Sequence, residues 1–205
     1  MSIINNFTSL SDFYKKIGLD KFEGHSGMCS GETEFLREIV KDPNIKTLLE
    51  IGFNAGHSSE SFLSSNETLK VWSFDLGQYT YVLTGKSYID HKYPKRHTLT
   101  IGDSKSTIPT FSDNFEDMKF DCIFIDGDHS YEGAMADLMN CKRLAHKDTI
   151  LIMDDIVKTK GWIQEWNKGT NQAWSEVIDN GLITEQYQQD FKKGFGVAYG
   201  KYNFL

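Results

Sequence analysis

Four carboxylates fall at the ends of two apolar runs. Asp126 and Asp128, within Asp126-Gly127-Asp128-His129, follow Phe120 to Ile125 (FDCIFI), and Asp154-Asp155 follows Thr149 to Met153 (TILIM). Gathered at one edge, such acids repel unless they are protonated, solvated or bridged by a cation, and ligand sets made only of oxygen suit Mg²⁺, Ca²⁺ or Mn²⁺. A divalent metal is the expectation; the alternative is that some of these acids cap the helices that follow. His129 stands as a base, a metal ligand or a loop histidine bonded to backbone.

A second constellation lies upstream, in Glu50-Ile51-Gly52-Phe53-Asn54-Ala55-Gly56-His57-Ser58. An apolar run enters a turn with glycines four apart and continues into a helix whose first N–H groups are free for a carboxylate or phosphate. The loop lacks the GxGxxG of dinucleotide binding, and no Lys follows Gly56 as a phosphate loop requires, so NAD and ATP are disfavoured. Asp75, about 20 residues beyond the loop at the next strand end, either caps that strand or accepts both hydroxyls of an adenosine ribose. Gly102-Asp103-Ser104, after Thr98 to Ile101, is a plain Asp-Ser turn or a pair that bonds an adenine amino group.

These residues need elements to hold them. Lys46 to Phe53, Val71 to Leu76, Phe120 to Ile125 and Thr149 to Met153 are near-continuous apolar runs, as expected of parallel strands covered on both faces. Between them, His57 to Ser65 and Tyr131 to Leu144 read as helices, the latter with Met135, Leu138, Met139 and Leu144 close to one face. Ser30 is placed to cap a helix carrying Glu32 and Glu34 in its first turn, with Phe35, Leu36, Ile39 and Val40 as its apolar stripe. Tyr79 to His97 reads as a helix with a loop. Leu182 to Gln189 and Gly196 to Tyr202 form a C-terminal antiparallel hairpin. Alternating strands and helices imply an α/β, doubly wound, open sheet, with ligands at the carboxyl ends of its strands.

The 205 residues suit one domain. A net charge of −7 argues against a nucleic-acid partner, and the basic stretches Lys92 to Arg96 and Lys192-Lys193 read as solvated surface. The three cysteines, Cys29, Cys122 and Cys141, have no metal or disulfide spacing, which points to a reducing, cytoplasmic setting with Cys122 and Cys141 in the core. No run is long enough to span a membrane. Trp162 and Trp166, spaced i,i+4, either line a substrate cleft or, as pairs at that spacing more often do, pack in the core. The β-like C-terminal run could pair across an interface, which allows a homodimer.

Leu48 to Leu63 (LLEIGFNAGHSSESFL), Trp72 to Leu76 (WSFDL), Gly102-Asp103-Ser104 and Phe120 to Ile156 together resemble the class I S-adenosylmethionine-dependent methyltransferases, within them methyltransferase family 24. FIDGDHSYEG followed by ILIMDDI is the specific part. The resemblance implies a Rossmann-like, mostly parallel seven-stranded sheet over residues 1–205, with 1–29 as an N-terminal helical or lid segment. It implies that Glu50, Gly52, Asn54, Gly56 and Ser58 surround the methionine moiety of S-adenosylmethionine, with Asp126 also at the cofactor. Asp75 falls at the ribose, and Asp103 and Ser104 at the adenine. The strand-end acids are similar in pattern to the metal-dependent macrocin and novobiocin tailoring enzymes, which implies Mg²⁺ on Asp126, Asp154 and Asp155. Asp128 takes the place of the general base, and His129 beside it departs from the pattern. The activity implied is Mg²⁺-assisted O-methylation of a hydroxyl on a sugar or other small-molecule acceptor. The rivals are a cofactor-binding module without turnover and a related metal-dependent, hydroxylase-like enzyme.

Overall fold

A computed structural model describes residues 7–23 and 28–204. The elements run α1 (Leu10–Lys16), α2 (Ser30–Val40), β1 (Thr47–Ile51), α3 (His57–Ser65), β2 (Lys70–Asp75), α4 (Tyr81–Lys92) and β3 (His97–Ile101). They continue α5 (Ser104–Asn114), β4 (Phe120–Ile125), α6 (Tyr131–Cys141), β5 (Ala145–Asp154), α7 (Lys168–Asp179), β6 (Ile183–Lys192) and β7 (Phe195–Tyr202). Of the expected N-terminal segment, α1 is helical, while 1–6 and 24–27 lie outside the described residues.

The strands form one sheet in the order β3-β2-β1-β4-β5-β7-β6. β3, β2, β1, β4 and β5 pair in parallel, β7 runs antiparallel to β5, and β6 is antiparallel to β7. The chain winds outward from β1 through β2 to β3, then returns to the other side of β1 for β4. The loops leaving β1 and β4 therefore diverge, and the crevice between them is where an open α/β sheet binds its ligands.

Strand alternation explains why both faces are covered. Leu49, Ile51, Phe74, Ile123, Ile125, Leu151 and Met153 pack with Ile108, Leu138 and Trp174 from α5, α6 and α7. Leu48, Val71, Cys122, Phe124, Ile152 and Val197 pack with Leu10, Leu36, Phe62 and Ile89 from α1, α2, α3 and α4. Neighbouring residues of one strand thus feed opposite cores, which is why the strands read as continuous apolar runs rather than alternating ones.

Several local expectations shift. Cys29, not Ser30, is the N-cap of α2 and bonds through no side chain. Leu138 and Leu144 are fully buried, but Met139 turns to solvent. Trp162 is half-buried and Trp166 exposed, so this pair is not core. Of the basic residues read as solvated surface, Lys95 and Lys193 are exposed, while Lys92, Arg96 and Lys192 act as clasps. Lys92 Nζ donates to Phe7 O at 3.0 Å and Lys192 Nζ to Met28 O at 2.6 Å. Arg96 donates to the carbonyls of Leu63, Leu69 and Asn66, closing the carboxyl end of α3 onto the start of β2.

A guanidinium serving three carbonyls cannot be replaced by water without freeing the loop it gathers. Arg96→Ala is expected to destabilise the fold by about 2–3 kcal/mol, measured by urea denaturation. A change below about 0.5 kcal/mol would return Arg96 to the solvated surface.

Candidate functional site

The glycine loop owes its shape to one close approach. Gly52 N–H donates to Phe74 O at 2.8 Å and Asp126 N–H to Ile51 O at 2.9 Å, so the ends of β2, β1 and β4 are stitched side by side. Gly52 has φ 95°, and a Cβ there would stand 1.8 Å from the carbonyl oxygen of Asp126. Only glycine allows both the left-handed backbone and that proximity.

Around this point the strand ends open on a cavity of about 830 Å³. Gly52, Asn54, Ser58, Asp75, Asp103, Ser104 and Asp126 line it, as the sequence suggests. Asp75 accepts the N–H of Asn54 at 2.7 Å on one oxygen and that of Gly77 at 2.7 Å on the other, so it holds the glycine loop and the loop after β2 together. Asp103 is the N-cap of α5, accepting from Lys105 N–H at 2.9 Å.

Glu50 and Gly56 are different. Gly56 is the N-cap of α3 and lies behind the wall. Glu50 is 0% exposed and spends its carboxylate on the hydroxyls of Ser58, Ser59 and Ser73, each at 2.5 Å. Burial pushes its pKa up to about 7 despite those three donors. Ser73 Oγ lies 2.8 Å from Nε2 of buried His97, whose pKa burial lowers to about 3, keeping it neutral. Glu50 therefore shapes the loop from beneath.

The metal-like acids gather, with a change of membership. Among the described residues two sets bring ligand atoms within 4.8 Å of one another: Asp126, His129 and Asp155; and Glu32, Asp154 and Asp155. Asp155 belongs to both, while Asp126 and Asp154 fall in different sets. Asp155 has φ 62°, a conformation uncommon for a side-chain-bearing residue, and Asn167 and Asn171 hold it by donating to its carbonyl at 3.3 and 2.8 Å. Burial raises the carboxyl pKa values of Glu32, Asp154 and Asp155; the charge of Asp154 adds to this at Glu32 and Asp155, and that of Asp126 at Asp154, while a hydrogen bond from Glu32 works the other way at Asp154. The donors fit a hard divalent cation: no N–H or hydroxyl of the described residues donates to buried Glu32 Oε1 or Asp154 Oδ1.

His129 Nε2 stands 3.2 Å from Asp155 and 3.4 Å from Asp126. Burial disfavours its cation, but the hydrogen bond and charge of Asp126, with Asp154 and Asp128, outweigh this and raise its pKa. Asp128 also lines the cavity but belongs to neither ligand set. It accepts from Ser130 N–H at 2.9 Å and lies 3.6 Å from Lys105 Nζ; partial burial works against its charge, yet Ser130 and Lys105 prevail and hold its pKa down. A carboxylate so stabilised is a weak base.

Glu32, Met28, Trp166 and Phe195 also line the cavity. The Trp166 ring lies 5.6 Å from that of His129 and 6.0 Å from that of Phe195, forming an aromatic wall on the side away from Asp75 and Asp103. For Trp166 the cleft reading of the i,i+4 pair holds and core packing does not; no sequence signal marks the other three.

Two substitutions test this frame. Gly52→Ala is expected to cost upward of about 4 kcal/mol, seen as loss of the cooperative thermal transition. Glu50 binds its proton more tightly folded than unfolded, so it lowers stability progressively as pH rises from about 4.5 to about 7. Glu50→Gln should remove that part of the slope, at most about 3 kcal/mol, when urea midpoints are compared across this window. Parallel wild-type and variant profiles would refute the assignment.

The sequence profile of a methyltransferase domain, family 24, matches residues 49–156, just over half of the chain. No curated protein sequence matches significantly. Among solved structures, the O-methyltransferase from Bacillus cereus in complex with S-adenosylhomocysteine superposes with a TM-score of 0.73 at 17% identity, covering 95% of this chain and 89% of that one. TomG of Streptomyces achromogenes, an O-methyltransferase of tomaymycin synthesis in complex with S-adenosylmethionine, gives 0.73 at 14%, covering 98% and 92%. CalS11, a TDP-rhamnose 3'-O-methyltransferase of calicheamicin biosynthesis, gives 0.63 at 19%, covering 82% and 76%. At these identities the structures speak to the fold, which they share. With the profile match over the strand-end motifs, the chain belongs to the methyltransferase-domain family and is a class I S-adenosylmethionine-dependent methyltransferase.

Proposed function

We propose that the protein is a divalent-cation-assisted O-methyltransferase acting on a hydroxyl of a small molecule. The observation that carries this reading is the buried acid cluster, supported by His129, opening on the same cavity as the Asp75 and Asp103 strand ends. On this reading the cofactor lies with its adenosine toward Asp75, Asp103 and Ser104 and its methionine moiety toward Gly52, Asn54 and Ser58. Asp126, Asp154 and Asp155 are cation donors, Mg²⁺ being the natural choice for oxygen ligands. When bound, such a cation lowers the pKa of an acceptor hydroxyl and fixes its position.

The chain's own residues do the rest. His129, wedged between Asp126 and Asp155 and beside Trp166, accepts the hydroxyl proton at Nε2, ahead of Asp128, whose carboxylate is engaged by Ser130 and Lys105. Trp166 and Phe195 form an apolar wall for the acceptor and exclude water from the nucleophile. With S-adenosylmethionine bound, the hydroxyl oxygen would attack its methyl carbon in line, the C–S bond breaking as the C–O bond forms and S-adenosylhomocysteine leaving, and alignment of the two would be the larger part of the acceleration. The TDP-sugar acceptor of CalS11 and the tomaymycin setting of TomG support a small-molecule acceptor here.

Calorimetric titration with S-adenosylhomocysteine, with and without Mg²⁺, is the first test. Micromolar binding that Asp75→Ala abolishes is expected; no binding under either condition would discard the cofactor site. Once an acceptor is found, His129→Ala should lower kcat by about 10²–10⁴, and Asp128→Asn by far less. Full turnover in excess EDTA would remove the cation from the mechanism.

A further inference from the structure

The second ligand set contains a residue from outside the strand-end motifs. Glu32 sits in the first turn of α2, is 4% exposed, and lines the cavity. No N–H or hydroxyl of the described residues donates to its Oε1 or to the Asp154 Oδ1, and the two carboxyls lie at hydrogen-bond distance of each other, so they share a proton or a cation. Helix capping does not account for it, because the N-cap Cys29 offers no side-chain bond and no reciprocal capping box forms. Packing does not account for it either, since an uncharged glutamine would fill the same space without a third carboxyl beside Asp154 and Asp155. Those neighbours have no lysine or arginine at ion-pair distance among the described residues, and Asp155 has only His129.

The placement is also built from a distance. Lys192 Nζ donates to Met28 O at 2.6 Å, and the ring of Phe191 fills the space beside Gly31, leaving 3.1 Å to where a Cβ would stand. The β6–β7 hairpin thereby fixes the start of α2 and delivers Glu32 to Asp154 and Asp155.

We propose that Glu32 is a cation ligand, completing with Asp154 and Asp155 an all-oxygen site that ties α2 to the end of β5. The proposal rests on the cation reading above and deepens it. It makes cation binding a clamp as well as an activator: a bound cation takes the place of the protons these carboxyls otherwise hold and ties α2 to the end of β5.

The test is titration of the purified chain with Mn²⁺, followed by loss of the free-ion electron paramagnetic resonance signal, together with hydrogen exchange of residues 30–40. The wild type should bind Mn²⁺ and gain protection in α2. Glu32→Gln should weaken Mn²⁺ by at least about tenfold and lose that gain, whereas Glu34→Gln, exposed on the same turn, should behave as wild type. Mn²⁺ affinity unchanged in Glu32→Gln but lost in Asp155→Asn would overturn the role of Glu32 and leave the cation reading standing. No Mn²⁺ binding by the wild type would overturn both. Should Glu32→Gln fail to fold, the wild-type exchange decides, since unchanged protection of α2 on Mn²⁺ binding contradicts the clamp.

Discussion

Everything at the site depends on how closely the turn after β1 passes the backbone at the end of β4. The 1.8 Å separation between the carbonyl of Asp126 and a Cβ that Gly52 does not have is what lets two strand ends lie side by side while their loops part. The parting makes the crevice, and the proximity puts the glycine loop and the acid cluster on its two sides. Asp75 extends the same arrangement by holding Asn54 and Gly77 at once, so three strand ends share one set of backbone bonds. A methyl donor and an acceptor can meet in line only if these two halves keep register with each other.

The second organising fact is electrostatic. Glu32, Asp154 and Asp155 sit in surroundings that disfavour their charges, and the charge of Asp154 makes both of its neighbours harder to ionise. A fold tolerates such a cluster where a function compensates it. Glu50 is the contrasting case: equally buried, it is surrounded by three hydroxyls and serves the shape of the loop rather than the chemistry above it.

Much of this was legible in the chain. Phe120 to Ile125 is β4 and His57 to Ser65 is α3, residue for residue, because an unbroken apolar run or a glycine turn marks each boundary locally. The strand-end acids were visible for the same reason: they interrupt those runs. What escaped depends on contacts between distant residues. Glu32 looks like an ordinary first-turn acid until the hairpin brings α2 against β5. Arg96 looks like surface until the carbonyls of Leu63, Leu69 and Asn66 converge on it. Trp166 carries the spacing of a core residue and lies in a cavity wall instead. Asp128 shares its tetrapeptide with His129, yet only the fold shows that Lys105 and Ser130 draw it aside.

The position of β7 has a consequence for how the molecule comes into being. β7 is made after β6 but lies inside it, between β6 and β5, and β6 pairs with β7 alone. β6 therefore has no seat on the sheet until its successor exists, and the two strands must arrive as one hairpin. Phe195 and the Lys192 anchor of Met28 travel with the hairpin, so that side of the cavity is complete only once both strands are seated, whereas the glycine loop and the ends of β1 to β4 rest on pairings that do not involve it.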